Sequence, residues 1–167
     1  MVKTRGVPAG GSYERMKPKT RRELLAECAC FDLRKATRTV SRMYDEFLRD
    51  RGLNITQFSL LRLILTEKEL SISTLSRYMA MDRTSITRAL APLERDGLID
   101  TRPGADKRIR IVSVASKGCK LIKNAEPEWY KAQEALMEIV GEDRWGAMRT
   151  LLRDTTRMVR HRTPTVT

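Results

Sequence analysis

The tightest constraint on this chain is a change of hydrophobic period between Asp82 and Val114. Ile86, Leu90 and Leu93, with Ala89 beside them, recur at helical spacing, so one narrow stripe faces a core. Asp82 stands just before them, and its carboxylate can accept from the free N–H groups of a first turn, so the spacing predicts a helix from about Arg83. Pro92 should kink this helix without breaking it, because Leu93 continues the stripe. Gly97 is placed to end it in the left-handed conformation. Leu98 to Arg102 and Ile109 to Val114 then read as strands, joined through the turn signal Pro103-Gly104 and an exposed tip, Ala105 to Arg108. The parity of the second strand shifts near Val112, which predicts a bulge or burial on both faces. The expected product is a helix followed by a basic wing.

The outward face of this helix carries Arg83, Thr84, Thr87, Arg88 and Arg95, with Ser85 in the first turn. Short hydroxyls and guanidinium groups suit a DNA major groove, because Arg bridges guanine O6 and N7 while Thr reaches base edges or methyls. Thr84, Ser85, Thr87 and Arg88 are therefore the expected base readers, with Arg83 and Arg95 on phosphates. Lys107 and Arg108 suit phosphates or a narrow minor groove at the wing, and Asp106 is expected to orient Arg108 by an ion pair. Each half alone is also what a solvated basic surface looks like. Their adjacency, in this order, carries the argument.

Upstream, Ala26, Ala29, Leu33, Ala36, Val40, Met43 and Phe47 alternate spacings of three and four, which predicts an amphipathic helix from Glu23 to about Asp50 with a coiled-coil-like seam, ended by Arg51-Gly52. Thr56 is the expected cap of a helix to about Thr66, with Phe58, Leu61, Ile64 and Leu65 inward. Ser71-Ile72 reads as a very short strand. A helix capped by Ser73 or Thr74 follows, carrying Leu75, Tyr78 and Met79, and its turn into Asp82 lacks glycine. Downstream, Ser116 is the expected cap of a helix carrying Leu121, Ile122, Trp129, Ala132, Leu136 and Ile139, bent or interrupted at Pro127. A last helix from about Glu142 repeats the pattern at Trp145, Met148, Leu152, Thr155 and Val159 and frays after Arg160.

The fold class is thus mainly α with a small β wing. A flexible basic arm (1–22) precedes an N-terminal dimerisation helix (23–52), a winged helix-turn-helix DNA-binding domain (53–115), C-terminal dimerisation helices (116–160) and a tail (161–167). Isolated seams cannot bury themselves, so the two chain ends are expected to meet in a homodimer. A two-fold pair of recognition helices would then read half-sites one turn apart, roughly 34 Å.

Charge agrees with this organisation. The net charge of +12 favours polyanionic partners, and residues 1–22 hold seven basic residues and one acidic residue, half of the excess. The sequence has no run of about 18 apolar residues to span a membrane and no apolar signal segment, and its three cysteines do not form a disulfide framework, so a cytoplasmic location is expected. The single histidine, His161, lies in the tail, leaving none for a triad or a metal site, and no phosphate loop is present. Cys28-Ala29-Cys30 lacks zinc-pair spacing. No enzyme, metal or cofactor is expected.

The run Ser85 to Ile99, S-I-T-R-A-L-A-P-L-E-R-D-G-L-I, with Asp106-Lys107-Arg108 between two strands, resembles the MarR family of winged helix-turn-helix transcription regulators. Leu53 to Leu61 is similar to that family's helix leading into the DNA-binding core, and the similarity of pattern extends over roughly residues 23 to 160. The resemblance implies a homodimer joined through its terminal helices on a pseudo-palindromic operator, most often a repressor. It also implies a releasing signal. In many relatives this is a small aromatic acid between the dimer and DNA-binding parts, for which Phe31, Tyr44, Phe58 and Arg62 are lining candidates as well as core candidates. In others it is an oxidant acting on a cysteine placed like Cys28, with Cys30 and Cys119 as further thiols that read equally well as small core residues. Two readings from other classes stand beside the regulator: a nonspecific, chromatin-like nucleic-acid-binding protein, and a winged helix used as a protein-interaction module.

Overall fold

The structure, a computed structural model, describes residues 26–162; the basic arm at 1–22 and residues 163–167 lie outside the described residues. The backbone divides into two units, residues 1–40 and 41–167, with the division inside the first helix, α1 (Ala29–Leu48). In the first unit the described part is Ala26 to Val40, where Cys28 and Val40 are half-buried and the other residues are exposed.

In the second unit α1 ends in a 3-10 turn, Arg49–Arg51. The helix starts later than its apolar spacing predicts and buries a different stripe. Leu48 is fully buried and Tyr44 nearly so, whereas Met43 and Phe47 of the expected seam are half-buried and Leu33 is exposed. The i, i+4 pair Tyr44 and Leu48 is what the described residues of this unit cover fully, and Met43 and Phe47 of the seam are covered only in part.

The cap of α2 (Ile55–Glu67) is Asn54, not Thr56. Asn54 Oδ1 accepts from Gln57 N at 2.9 Å, and Gln57 Oε1 accepts in return from Asn54 N at 3.0 Å, a capping box that uses Gln where Glu is commoner. Strand β1 (Glu69–Ser71) leads directly into α3 (Ile72–Met79). Ser71 caps α3 by accepting from Thr74 N at 3.1 Å, so the cap falls two residues before the earlier of the expected positions. Tyr78 is exposed, because an eight-residue helix turns only Ile72 and Leu75 fully into the core.

Helix α4 (Arg83–Arg95) runs through Pro92 as one element and buries Ile86, Leu90 and Leu93 as the stripe predicts. Gly97, at φ +67°, takes the left-handed turn that leads into β2 (Ile99–Pro103). Strand β3 (Arg110–Val114) lies between β1 and β2, antiparallel to both. The ladder is regular from Ile99↔Val114 to Pro103↔Arg110, so the parity shift marks a middle strand with Val112 buried on one face and Ile111 half-buried on the other, and not a bulge.

Helix α5 (Ser116–Val140) is uninterrupted at Pro127, and its cap position is Ala115, without a side-chain cap. Ala115 donates its N–H to Leu98 O at 3.0 Å instead, which seats the helix start on the wing. Leu48, Leu61, Ile64, Leu93, Val112 and Ile122 meet in one core, and Trp129 stacks on Phe58 at 6.0 Å. Helix α6 (Glu142–Arg162) leaves Leu151, Leu152 and Met158 exposed.

Candidate nucleic-acid interface

The interface begins with how α4 is anchored. Asp82 Oδ1 accepts from Ser85 N at 2.8 Å and Oδ2 from Ser85 Oγ at 2.6 Å. These bonds, the hydroxyl first and the backbone N–H second, hold the Asp82 carboxyl below the usual carboxylate range. The Ser85 proton is thereby committed, and Ser85 offers a base edge acceptor lone pairs and no donor. Thr87 Oγ1 likewise donates to Arg83 O at 2.8 Å. Burial of Ile86, Leu90 and Leu93 sets the rotation of α4 about its axis, which turns Arg83, Thr84, Thr87 and Arg88 outward together at spacings of three and four. The glycine-free turn before α4 is closed by Ala80 itself, at φ +51°, and by Met81 donating to Ser76 O at 3.0 Å.

The wing is closed by Gly104 N donating to Ile109 O at 2.7 Å and Ile109 N to Asp106 O at 2.9 Å. Asp106 does not pair with the Arg108 guanidinium. Its Oδ1 accepts from the Arg108 backbone N at 2.9 Å, because the tight turn brings the N–H two residues on within reach of the short side chain. Lys107 and Arg108 are exposed at the tip. Ile72, Ser73, Arg83, Arg108, Ile109 and Arg110 line one small open depression, so the start of the recognition helix and the wing present cations to the same space. That is where a phosphate backbone passing between two grooves would run. Arg95 lies further along and is paired with Asp96 at 3.0 Å, a hydrogen bond that raises its pKa, on a surface where such a pair is readily exchanged for a phosphate.

Several positioning bonds were not visible in the sequence. Thr101 Oγ1 donates to Glu94, and Arg110 donates to Thr101 Oγ1 at 2.6 Å and to Glu94 at 3.4 Å, joining the end of α4 to the wing. Arg102 pairs with Glu69 at 2.7 Å, and Lys117 Nζ donates to Asp96 O at 2.9 Å at the end of α4. The strand register, which the sequence did not specify, puts Thr101 and Arg110 at diagonal positions on one face.

The effector candidates have other uses. Tyr44 donates its hydroxyl to Gln133 Oε1 at 2.8 Å, and burial pushes its pKa up. Phe58 is core, Arg62 pairs with Glu126, and Phe31 in the first unit is 39% exposed. Cys28 precedes α1 and its Sγ accepts from Phe31 N at 3.4 Å, Cys30 is exposed, and Cys119 is half-buried in α5. Among the described residues no cluster could hold a metal ion, and no helix is long and apolar enough to cross a membrane.

A pH dependence follows from two carboxyls. Asp82 is held low by Ser85, and Glu128 by hydrogen bonds first from Arg51 and then from Lys131. Both pKa values are lower folded than unfolded, so their stabilisation is present above the ordinary carboxylate range and lost as pH falls through the depressed values. The urea midpoint should therefore fall on acidification below about pH 5, and an Asp82→Asn, Glu128→Gln double variant should show a shallower fall. Equal slopes would remove the assignment.

Comparison with known proteins points one way. A MarR family model matches residues 53–109. The M. tuberculosis transcriptional regulator MosR, in a structure with DNA, is 32% identical with a TM-score of 0.74, and the match covers 81% of this chain and 98% of that one. A mutant MarR from E. coli, complexed with operator DNA, superimposes with a TM-score of 0.68 at 19% identity over 74% of this chain and 89% of that one. An HTH-type transcriptional regulator of Bacillus subtilis strain 168, YwoH, is 24% identical over 105 residues, 63% of this chain and 77% of the relative.

Proposed function

The chain belongs to the MarR family of transcription regulators, and from that premise we propose that it is a sequence-specific DNA-binding repressor acting in the cytoplasm as a homodimer on a pseudo-palindromic operator. The observation that carries this reading is the shared depression between Arg83 and Arg108, which joins an outward Arg/Thr helix face to a basic wing in one footprint. Thr84, Thr87 and Arg88 read bases, Ser85 contributes acceptor lone pairs, and Arg83, Arg95, Lys107 and Arg108 hold the backbone.

The dimer reading is supported by apolar residues that one chain leaves uncovered at both ends: Leu33 of α1 is 44% exposed, Ile139 of α5 73% and Leu151 of α6 67%. On this reading residues 23–52 and 116–160 form the dimer element and 53–115 the DNA-binding element. Release comes from a small aromatic acid or an oxidant that changes the spacing of the two recognition helices. Cys28, whose sulfur accepts the first-turn N–H of Phe31, is the thiol best placed to couple oxidation to the start of α1.

The test is competition binding at about physiological salt between the DNA upstream of the protein's own coding region and unrelated duplex of equal length. A preference of roughly a thousandfold or more is expected of a specific regulator. A preference of only a few fold, with no preferred site in a genome-wide selection, would leave binding by charge alone.

A further inference from the structure

Arg110 stands where the sheet changes width. Strand β1 covers β3 only from Ile111 to Ser113, so at the Pro103↔Arg110 pair the sheet is two strands wide, and residues 104–109 close the wing as a turn beyond it. A tip joined to the sheet through one two-stranded pair twists and swings readily, and this one carries Lys107 and Arg108. At this junction the side chains form a directed chain. Arginine has only donors, so Arg110 gives N–H to Thr101 Oγ1 at 2.6 Å and to Glu94 at 3.4 Å. The single Thr101 hydroxyl proton goes to the Glu94 carboxylate. Glu94 belongs to the last turns of α4, whose first turns hold the proposed base-reading residues. A second brace, Arg102 to Glu69, ties β2 to β1 across the middle strand.

We propose that Glu94, Thr101 and Arg110 are positioning residues that set the angle of the wing against the recognition helix, so that wing and helix meet duplex DNA as one rigid footprint. The Arg110–Glu94 pair is about half exposed at both side chains, so it adds little to global stability, and its effect is geometric. The functional half of this inference rests on the DNA-binding reading above.

Thr101→Val keeps the shape of the side chain but removes both bonds, whereas Thr101→Ser keeps both, so the pair separates this chain of bonds from simple packing. Two measurements on the full-length protein decide the matter: backbone 15N relaxation of residues 104–109 without DNA, and hydroxyl-radical footprints on a duplex selected from random sequence by the wild-type protein. Thr101→Val should loosen the wing, weaken flanking protection with about a tenfold loss of affinity, and leave protection under the recognition helix in place, while Thr101→Ser behaves as wild type. Wild-type wing order and flanking protection in Thr101→Val would overturn the proposal. If the wild type selects no duplex, the DNA-binding reading fails by that result, and the relaxation comparison still decides whether the three residues hold the wing.

Discussion

Replacing Gly118 with alanine is expected to cost on the order of 3 kcal/mol of folding stability, at the upper end of what overpacking a tight site costs. A Cβ at this position would lie 2.2 Å from the backbone oxygen of Leu98 and 2.7 Å from Val114 Cγ1. The oxygen belongs to the chain just before β2 and already accepts from Ala115 N, so it cannot rotate away as a flexible side chain would. Either α5 lifts from the wing or the first residues of β2 shift, and both weaken the seat of the sheet against the core. Urea denaturation should show a lower midpoint with an unchanged slope. Gly146 in α6 is the control: a Cβ there meets nothing within 4 Å, so Gly146→Ala should stabilise by about 0.5–1 kcal/mol through helix propensity. A Gly118→Ala variant as stable as wild type would mean that α5 is not held this closely.

The largest functional effect is expected at Arg88. It is exposed on the outward face of α4, and none of the ion pairs found among the described residues includes it, so Arg88→Ala should leave the unfolding midpoint within about 0.5 kcal/mol of wild type. If Arg88 bonds a base through both guanidinium nitrogens, its removal costs about 1–3 kcal/mol at each half-site, roughly 5- to 150-fold, and relaxes preference at one base position. Arg83→Ala should behave differently. If Arg83 holds a phosphate at each half-site, its removal weakens binding to every duplex and lowers the salt slope by about one per half-site. Binding isotherms over a salt series, on the selected duplex and on a scrambled one, separate the two. A uniform weakening in Arg88→Ala would move Arg88 from base reading to the backbone.

Local chemistry made much of this molecule legible before folding. The stripe Ile86, Leu90, Leu93, the Asp82 cap and the Gly97 stop depend on residues within a few positions of one another, and α4 and the turn into β2 formed where that chemistry predicts. The wing strands follow from alternation and turn residues to within a residue at each end. Caps were less legible: Asn54 and Ser71 won over Thr56 and Ser73 because several polar residues near each helix start could serve, and the backbone path chooses among them.

Interactions distant in sequence depended on tertiary structure. Met43 and Phe47 continue a periodic seam as well as Tyr44 and Leu48 fill a core, and periodicity alone cannot say which of two adjacent stripes the rest of the unit will cover. Asp106 next to Arg108 suggests an ion pair by charge, yet turn geometry gives the carboxylate a backbone N–H first. Glu94, Thr101 and Arg110 are unremarkable polar residues until the β2–β3 register brings two of them to diagonal positions and α4 sets the third above them. Gly118 reads as a poor helix residue until Leu98 O arrives where its side chain would be. Short-range periods and caps therefore specified the helix and wing as separate elements. How the two are held together was decided by tertiary structure, since it depends on bonds from the end of α4 to the wing and on the packing of α5 and β1, not on the local periods that form each element.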